Sequence, residues 1–67
     1  MDIRQRLGRN VRRLRVGEEF SQEAFADEVG IRRTYVSNIE RGSRDPTITV
    51  FERLAAALGV SAGELPE

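Results

Sequence analysis

Residues 21–42 read SQEAFADEVGIRRTYVSNIERG, and the order of caps, apolar positions and glycines in this stretch decides the fold. Ser21 is placed to cap a helix over 22–29, with Glu23 in its first turn. Phe25 and Val29 share one face of that helix, joined by the small Ala26. Gly30 ends it, at a point where a left-handed backbone is needed. A second helix follows almost at once, over 33–41, and Gly42 stops it. Two short helices joined by so tight a turn cross steeply. The crossing needs a small residue and the turn needs one that accepts positive φ; Ala26 and Gly30 meet these demands. Phe25, Val29, Ile31, Val36 and Ile39 supply the apolar inner surfaces. The pattern is a helix-turn-helix.

The second helix of the pair has two unlike faces. At about 100° per residue, Val36 and Ile39 mark its buried side, while Thr34, Ser37, Asn38 and Arg41 fall opposite. Arg33 flanks that outward face from the first turn. The outward face offers hydrogen-bonding groups and no acid, whereas a merely solvated helix surface ordinarily mixes in Glu, Asp or Lys. The single acid of the helix, Glu40, falls beside the buried edge instead.

Outward from this pair, the chain reads as helix throughout. Ile3, Leu7, Val11 and Leu14 recur at steps of four, four and three, an apolar stripe on a first helix over 3–15. Gly8 interrupts it at a cost of about 1 kcal/mol relative to Ala, which a closely approaching helix would explain and plain tolerance would explain equally. Residues 17–20 read as a connection, and residues 42–46, GSRDP, as a turn-rich loop. Thr47 is the expected cap of a helix over 48–58, with Ile48, Phe51, Leu54, Ala55 and Leu58 turned inward and Gly59 past its end. Ser61 and Glu64 have the spacing of a capping box for a last short helix, with Leu65 facing in and Pro66 stopping it. The expected architecture is all-α, four or five helices in a single domain over 1–67.

Size and charge narrow the possibilities. A chain of 67 residues buries only about 60% of its unfolded surface, so its core is marginal. It holds no cysteine, histidine or lysine; all eleven bases are Arg, against eleven acids. No nucleophile–base pair and no metal cluster is visible, so neither an enzyme nor a metal or cofactor site is expected. No small-molecule ligand is inferred. No apolar run approaches the roughly 18 residues of a membrane span, and the charged N-terminus is unlike a signal peptide; the chain reads as cytoplasmic. The zero net charge argues at first against nucleic acid, but its distribution does not. Residues 1–15 hold six Arg and one Asp, residues 16–29 five acids and no base, residues 30–44 four Arg and one Glu, and residues 45–67 one Arg and four acids. Such alternation allows one face to be positive and another negative.

The same residues resemble the Cro/C1-type (XRE) helix-turn-helix family over nearly the whole chain. The family's opening pattern stands at Val11-Arg12-Arg13-Leu14-Arg15, its Ser-Gln helix start at Ser21-Gln22, and its Ile-Glu-Arg-Gly ending at Ile39 to Gly42. Its fourth-helix pattern runs from Pro46-Thr47-Ile48 through Leu54-Ala55 to Leu58-Gly59-Val60-Ser61. The run RTYVSNIERGSRDPT, residues 33–47, is similar to the small controller proteins of restriction–modification systems. The resemblance implies a lambda-repressor-like domain that binds double-stranded DNA and regulates transcription. It implies that Gln22 bonds a phosphate, that Arg33, Thr34, Ser37 and Asn38 face base edges, and that Tyr35 and Arg41 approach the backbone. Arg44 would reach phosphate or the minor groove, and Arg15 with Glu40 would tie the first helix to the third. Arg32 departs from the family's usual Ser or Thr cap and is read as kept for a phosphate. A homodimer on a palindromic operator is expected, joined through the fourth helix and the C-terminal turn with Val50, Val60 or Leu65 as anchors. The alternative is an antitoxin or protein-interaction module on the same fold, to which the acidic segment lends weight.

Overall fold

In the computed structural model, which describes residues 2–66, the carboxylate of Asp2 accepts the N–H of Gln5 at 2.9 Å and starts α1 (Ile3–Gly17). The helix runs two residues beyond its expected end, so Gly17 is helical rather than part of the connection. The left-handed residue that turns the chain is Glu19, at φ 62°. Ser21 accepts the N–H of Ala24 at 3.0 Å and opens α2 (Gln22–Val29). Gly30, at φ 83°, reverses the chain, and both its N–H and that of Ile31 return to the carbonyl of Ala26. Next comes α3 (Arg33–Glu40), with Arg32 at the cap making no side-chain hydrogen bond and Arg41 closing the helix from just outside it. Thr47 accepts the N–H of Val50 at 3.2 Å and starts α4 (Ile48–Leu58).

No fifth helix forms among the described residues; residues 62–66 make turns. Half of the expected capping box is nevertheless present, since the N–H of Ser61 donates to Glu64 Oε1 at 2.9 Å. That bond, with a second from the Ser61 side chain, holds the Glu64 carboxyl below its usual range. Gly63 and Pro66 explain why the box nucleates nothing: one raises the entropy cost of a first turn and the other denies it an N–H.

The core sits where α1 and α2 pack against α3 and α4 closes over α2 and α1. Val11, Phe25, Val36, Leu54 and Leu65 are fully buried, and Ile39 nearly so. Phe20 from the α1–α2 connection packs its ring 5.6 Å from that of Phe25. The stripe of α1 buries Leu7 and Val11 but leaves Ile3 60% exposed, and α4 leaves Ile48 80% exposed. Both were expected inward. Each lies in the first turn of its helix, where the stripe continues in angle but no neighbouring element covers it. Leu65 is sealed inside the chain, with its carbonyl accepting from Asn10 Nδ2 at 3.3 Å. It therefore cannot anchor a second copy, and Val50, 9% exposed, is likewise part of its own core.

The glycine in α1 has a definite cause. A Cβ at residue 8 would lie 2.4 Å from the carbonyl oxygen of Ile39 and 2.7 Å from that of Glu40. The last turn of α3 therefore rests directly on the backbone of α1. Of the two readings open for this residue, close approach is the one observed.

Candidate nucleic-acid interface

The frame of the site is a buried ion pair. Arg15, on the inner side of α1, donates from Nε to Glu40 Oε2 at 2.6 Å and from Nη2 to Glu40 Oε1 at 3.1 Å. Its third branch, Nη1, donates to the carbonyl of Phe20 at 2.7 Å. The two side chains are 10% and 4% exposed. A fork that meets both carboxylate oxygens and then a carbonyl satisfies most of what burial removes from water. The pair fixes α3 against α1, and it neutralises the one acid α3 carries.

From Glu40 the hydrogen bonds continue outward. Gln22 Nε2 donates to Glu40 Oε1 at 3.2 Å, and Gln22 Oε1 accepts from Arg33 Nη1 at 3.3 Å. The carboxylate thereby determines which way the Gln22 amide faces, because only its NH₂ end can meet an acceptor. Its carbonyl end is left to hold Arg33. Four of the residues singled out in the sequence, from three helices, thus form one connected chain running from the interior to the exposed Arg33.

A second group is formed by α3 and the loop that follows it. The hydroxyl of Tyr35 accepts the N–H of Thr47 at 3.2 Å. In a capping box that N–H would be met by Glu or Gln three residues on, but Val50 occupies that position and the tyrosine takes its place. The guanidinium of Arg44 lies over the Tyr35 ring, 4.2 Å from its centroid. Accepting one bond leaves the Tyr35 O–H free to donate. Arg41 Nη2 donates to the side-chain oxygen of Asn38, so the amide NH₂ of the half-buried Asn38 keeps its donors. Thr34 and Arg32 are exposed, and Ser37 is half-buried. No acid of α3 shares this face. Asp45, in the following loop, is 3.8 Å from Arg4 with both side chains at least half exposed, so that pair contributes little.

Arg12 was not singled out in the sequence, beyond the general expectation that one or two arginines of the first helix approach phosphate. It lines a depression of about 250 Å³ together with Arg15, Gln22, Ser37, Glu40 and Arg41. The signal was available in the spacing, since a residue three before Arg15 lies on the same face of α1. The part played by Thr47 had no such signal, because it depends on where the α3–α4 loop returns. Among the described residues, no group of three or more acidic side chains is disposed to hold a metal ion, and no helix is long and apolar enough to cross a membrane.

An all-helical fold with a glycine-turned helix pair, its second helix presenting donors outward, defines the helix-turn-helix class. The helix-turn-helix family pattern matches residues 11–65, and the chain belongs to that family, of the Cro/C1 (XRE) type. It is similar to the control protein C.MunI of a Mycoplasma species, 38% identical over 65 residues that cover 96% of this chain and 88% of that protein. Among solved structures it is similar to the restriction–modification controller protein C.AhdI from Aeromonas hydrophila, at 35% identity and a TM-score of 0.88 over 92% of this chain and 94% of that one. It is also similar to the biofilm regulator SinR solved in complex with DNA, at 29% identity and a TM-score of 0.85 over 91% and 98% of the two chains.

Proposed function

We propose that the protein is a sequence-specific binder of double-stranded DNA that regulates transcription in the cytoplasm, working as one domain over 1–67. The observation that carries this reading is the outward face of α3. Its single acid is turned inward and neutralised by Arg15, and the groups left outside are donors or bear positive charge. A duplex presents acceptors in its major groove and negative charge along both rims. Arg33, Thr34 and Asn38 are assigned to base edges, with Arg33 suited to the O6 and N7 of a guanine. Gln22, Arg32, Tyr35, Arg41 and Arg44 are assigned to the backbone. Ser37, half-buried and beside Gln22 in the depression, can serve either.

One recognition helix reads only a few base pairs, so a homodimer on an inverted repeat is proposed, with half-sites about one helical turn apart. The exposed Ile48 and the half-buried Val60 support a contact through α4 and the turn after it. The similarity to control proteins makes the regulation of restriction–modification genes the sharpest form of the proposal. Selection from a random duplex library at low salt tests it. Enrichment of an inverted repeat is the expected result. A library that stays random, while the protein captures another protein instead, would favour the interaction-module reading, for which the exposed acids of residues 18–28 provide a surface.

A further inference from the structure

Arg15 and Arg33 are held by the same atom of the guanidinium, and the comparison shows what is left over on the second. One edge of a guanidinium carries Nε and Nη2, whose parallel N–H groups suit an acceptor with two atoms side by side. Arg15 sets that edge on the two oxygens of Glu40, at 2.6 and 3.1 Å, and gives Nη1 to an amide oxygen, the carbonyl of Phe20, at 2.7 Å. Arg33 also gives Nη1 to an amide oxygen, Gln22 Oε1, at 3.3 Å. Among the described residues nothing meets its Nε and Nη2, so the edge that Arg15 spends on a carboxylate stays open at the exposed start of α3.

Guanine presents O6 and N7 side by side in the major groove, the same demand that the Glu40 carboxylate makes of Arg15. An untethered guanidinium can approach such a pair by either of two edges and loses more freedom when it does so. With Nη1 occupied, one edge remains. The tether depends on which way the Gln22 amide lies, and Glu40 Oε1 settles that by accepting from Gln22 Nε2 at 3.2 Å. Turned over, the amide would set its NH₂ against the guanidinium, donor against donor.

We infer that Gln22 is a specificity-determining residue: its amide, faced by Glu40, commits Arg33 to read one guanine per half-site through the Nε–Nη2 edge. The inference rests on the DNA-binding reading above and on the assignment of Arg33 to a base edge. It gives Gln22 a part in base preference that a backbone contact alone lacks.

The test measures preference separately from affinity. Arg33→Ala, titrated against single-base operator changes, first locates the guanine. That base is then replaced by 7-deazaguanine, which keeps O6 and lacks the N7 acceptor, and the ratio of the two affinities is taken. The wild type is expected to favour guanine about tenfold. Gln22→Met, close in length but without an acceptor for Arg33, should reduce the ratio to about threefold or less. Gln22→Glu restores an oxygen to Arg33 and should keep the ratio near tenfold, although its charge lowers affinity for every duplex. Glu40→Gln, which lets the amide lie either way, should fall between, and in the Gln22→Met background it should change the ratio no further. Should Glu40→Gln unfold, the two Gln22 variants still decide the matter, since both leave Arg15 and Glu40 in place. An unchanged ratio in Gln22→Met, or equal losses of ratio in Gln22→Met and Gln22→Glu, would overturn the inference while leaving DNA binding intact. Failure of the wild type to bind any duplex would remove both readings together.

Discussion

A methyl group at residue 8 would meet two backbone carbonyl oxygens of α3 at 2.4 and 2.7 Å. Backbone cannot swing aside as a side chain can. Gly8→Ala therefore gains about 1 kcal/mol of helix propensity but forces α1 and α3 apart, which costs about 1–3 kcal/mol or more. The clash wins, and a thermal melt should show a loss of several degrees, since each kcal/mol moves a domain of this size by about 4–8 °C. A gain in melting temperature would mean that the helices can separate without cost. In the sequence this glycine was equally well explained by tolerance, because nothing local shows where the carbonyls of a distant helix lie. The exposed position of Arg33 on α3 was legible in the sequence; its hold on Gln22 was not. Arg33→Ala should lose about 1–3 kcal/mol of discrimination at one guanine per half-site. Gln22→Ala should weaken binding to every sequence and add a smaller loss at that same guanine, since Arg33 is freed. A panel of single-base operator changes separates the two patterns, and a uniform loss for Arg33→Ala would make it a backbone contact.

The helices themselves were largely readable, and the misreadings have physical causes. α2 and α4 begin and end where their caps indicated, because Ser21, Gly30, Thr47 and Gly59 each meet a local backbone demand. The missing fifth helix shows the limit of that logic: Ser61 and Glu64 bond as a cap would, but a cap cannot offset nucleation across Gly63 and Pro66. At the start of α3, Arg32 supplies no acceptor and places positive charge at the positive end of the helix dipole. Arg32→Ser should therefore stabilise the free protein by about 0.5–1 kcal/mol while weakening its hold on DNA. A melt without gain would place the helix start elsewhere. The tie between α1 and α3 is more consequential. Glu40→Ala leaves a buried guanidinium unpaired, a loss of about 3–5 kcal/mol, set against a total stability of about 3–10 kcal/mol for a chain this long. Circular dichroism should show it largely unfolded at 37 °C. Replacing both partners, Arg15→Met with Glu40→Met, should restore much of the helix signal but not the affinity for DNA, since Gln22 then has nothing to orient it. Full folding of Glu40→Ala would show that the pair lies in water.

At the scale of the whole molecule, the balanced charge is arranged rather than diluted: the basic segments 1–15 and 30–44 meet at the depression, and the acids of residues 18–28 lie exposed along α2 and the connection before it. The segment charges predicted such a separation, but which segments share a face depends on the packing of α1 against α3. The dimer anchors suffered from the same gap. Val50 and Leu65 read as available apolar residues in the sequence, yet the chain encloses both, while Ile48, expected inward, stands in the open. Sedimentation at high micromolar concentration should show a homodimer that Ile48→Asp weakens without unfolding the monomer; a monomer with and without operator would refute it. The seal at Leu65 has a consequence in time. Its side chain completes a core begun by Val11, and its carbonyl is held by Asn10, 55 residues earlier. A growing polypeptide cannot close that contact until residue 65 has emerged from the ribosome. At about 5–20 residues per second, α1 waits several seconds for its last partner, and until then the core of the domain is incomplete.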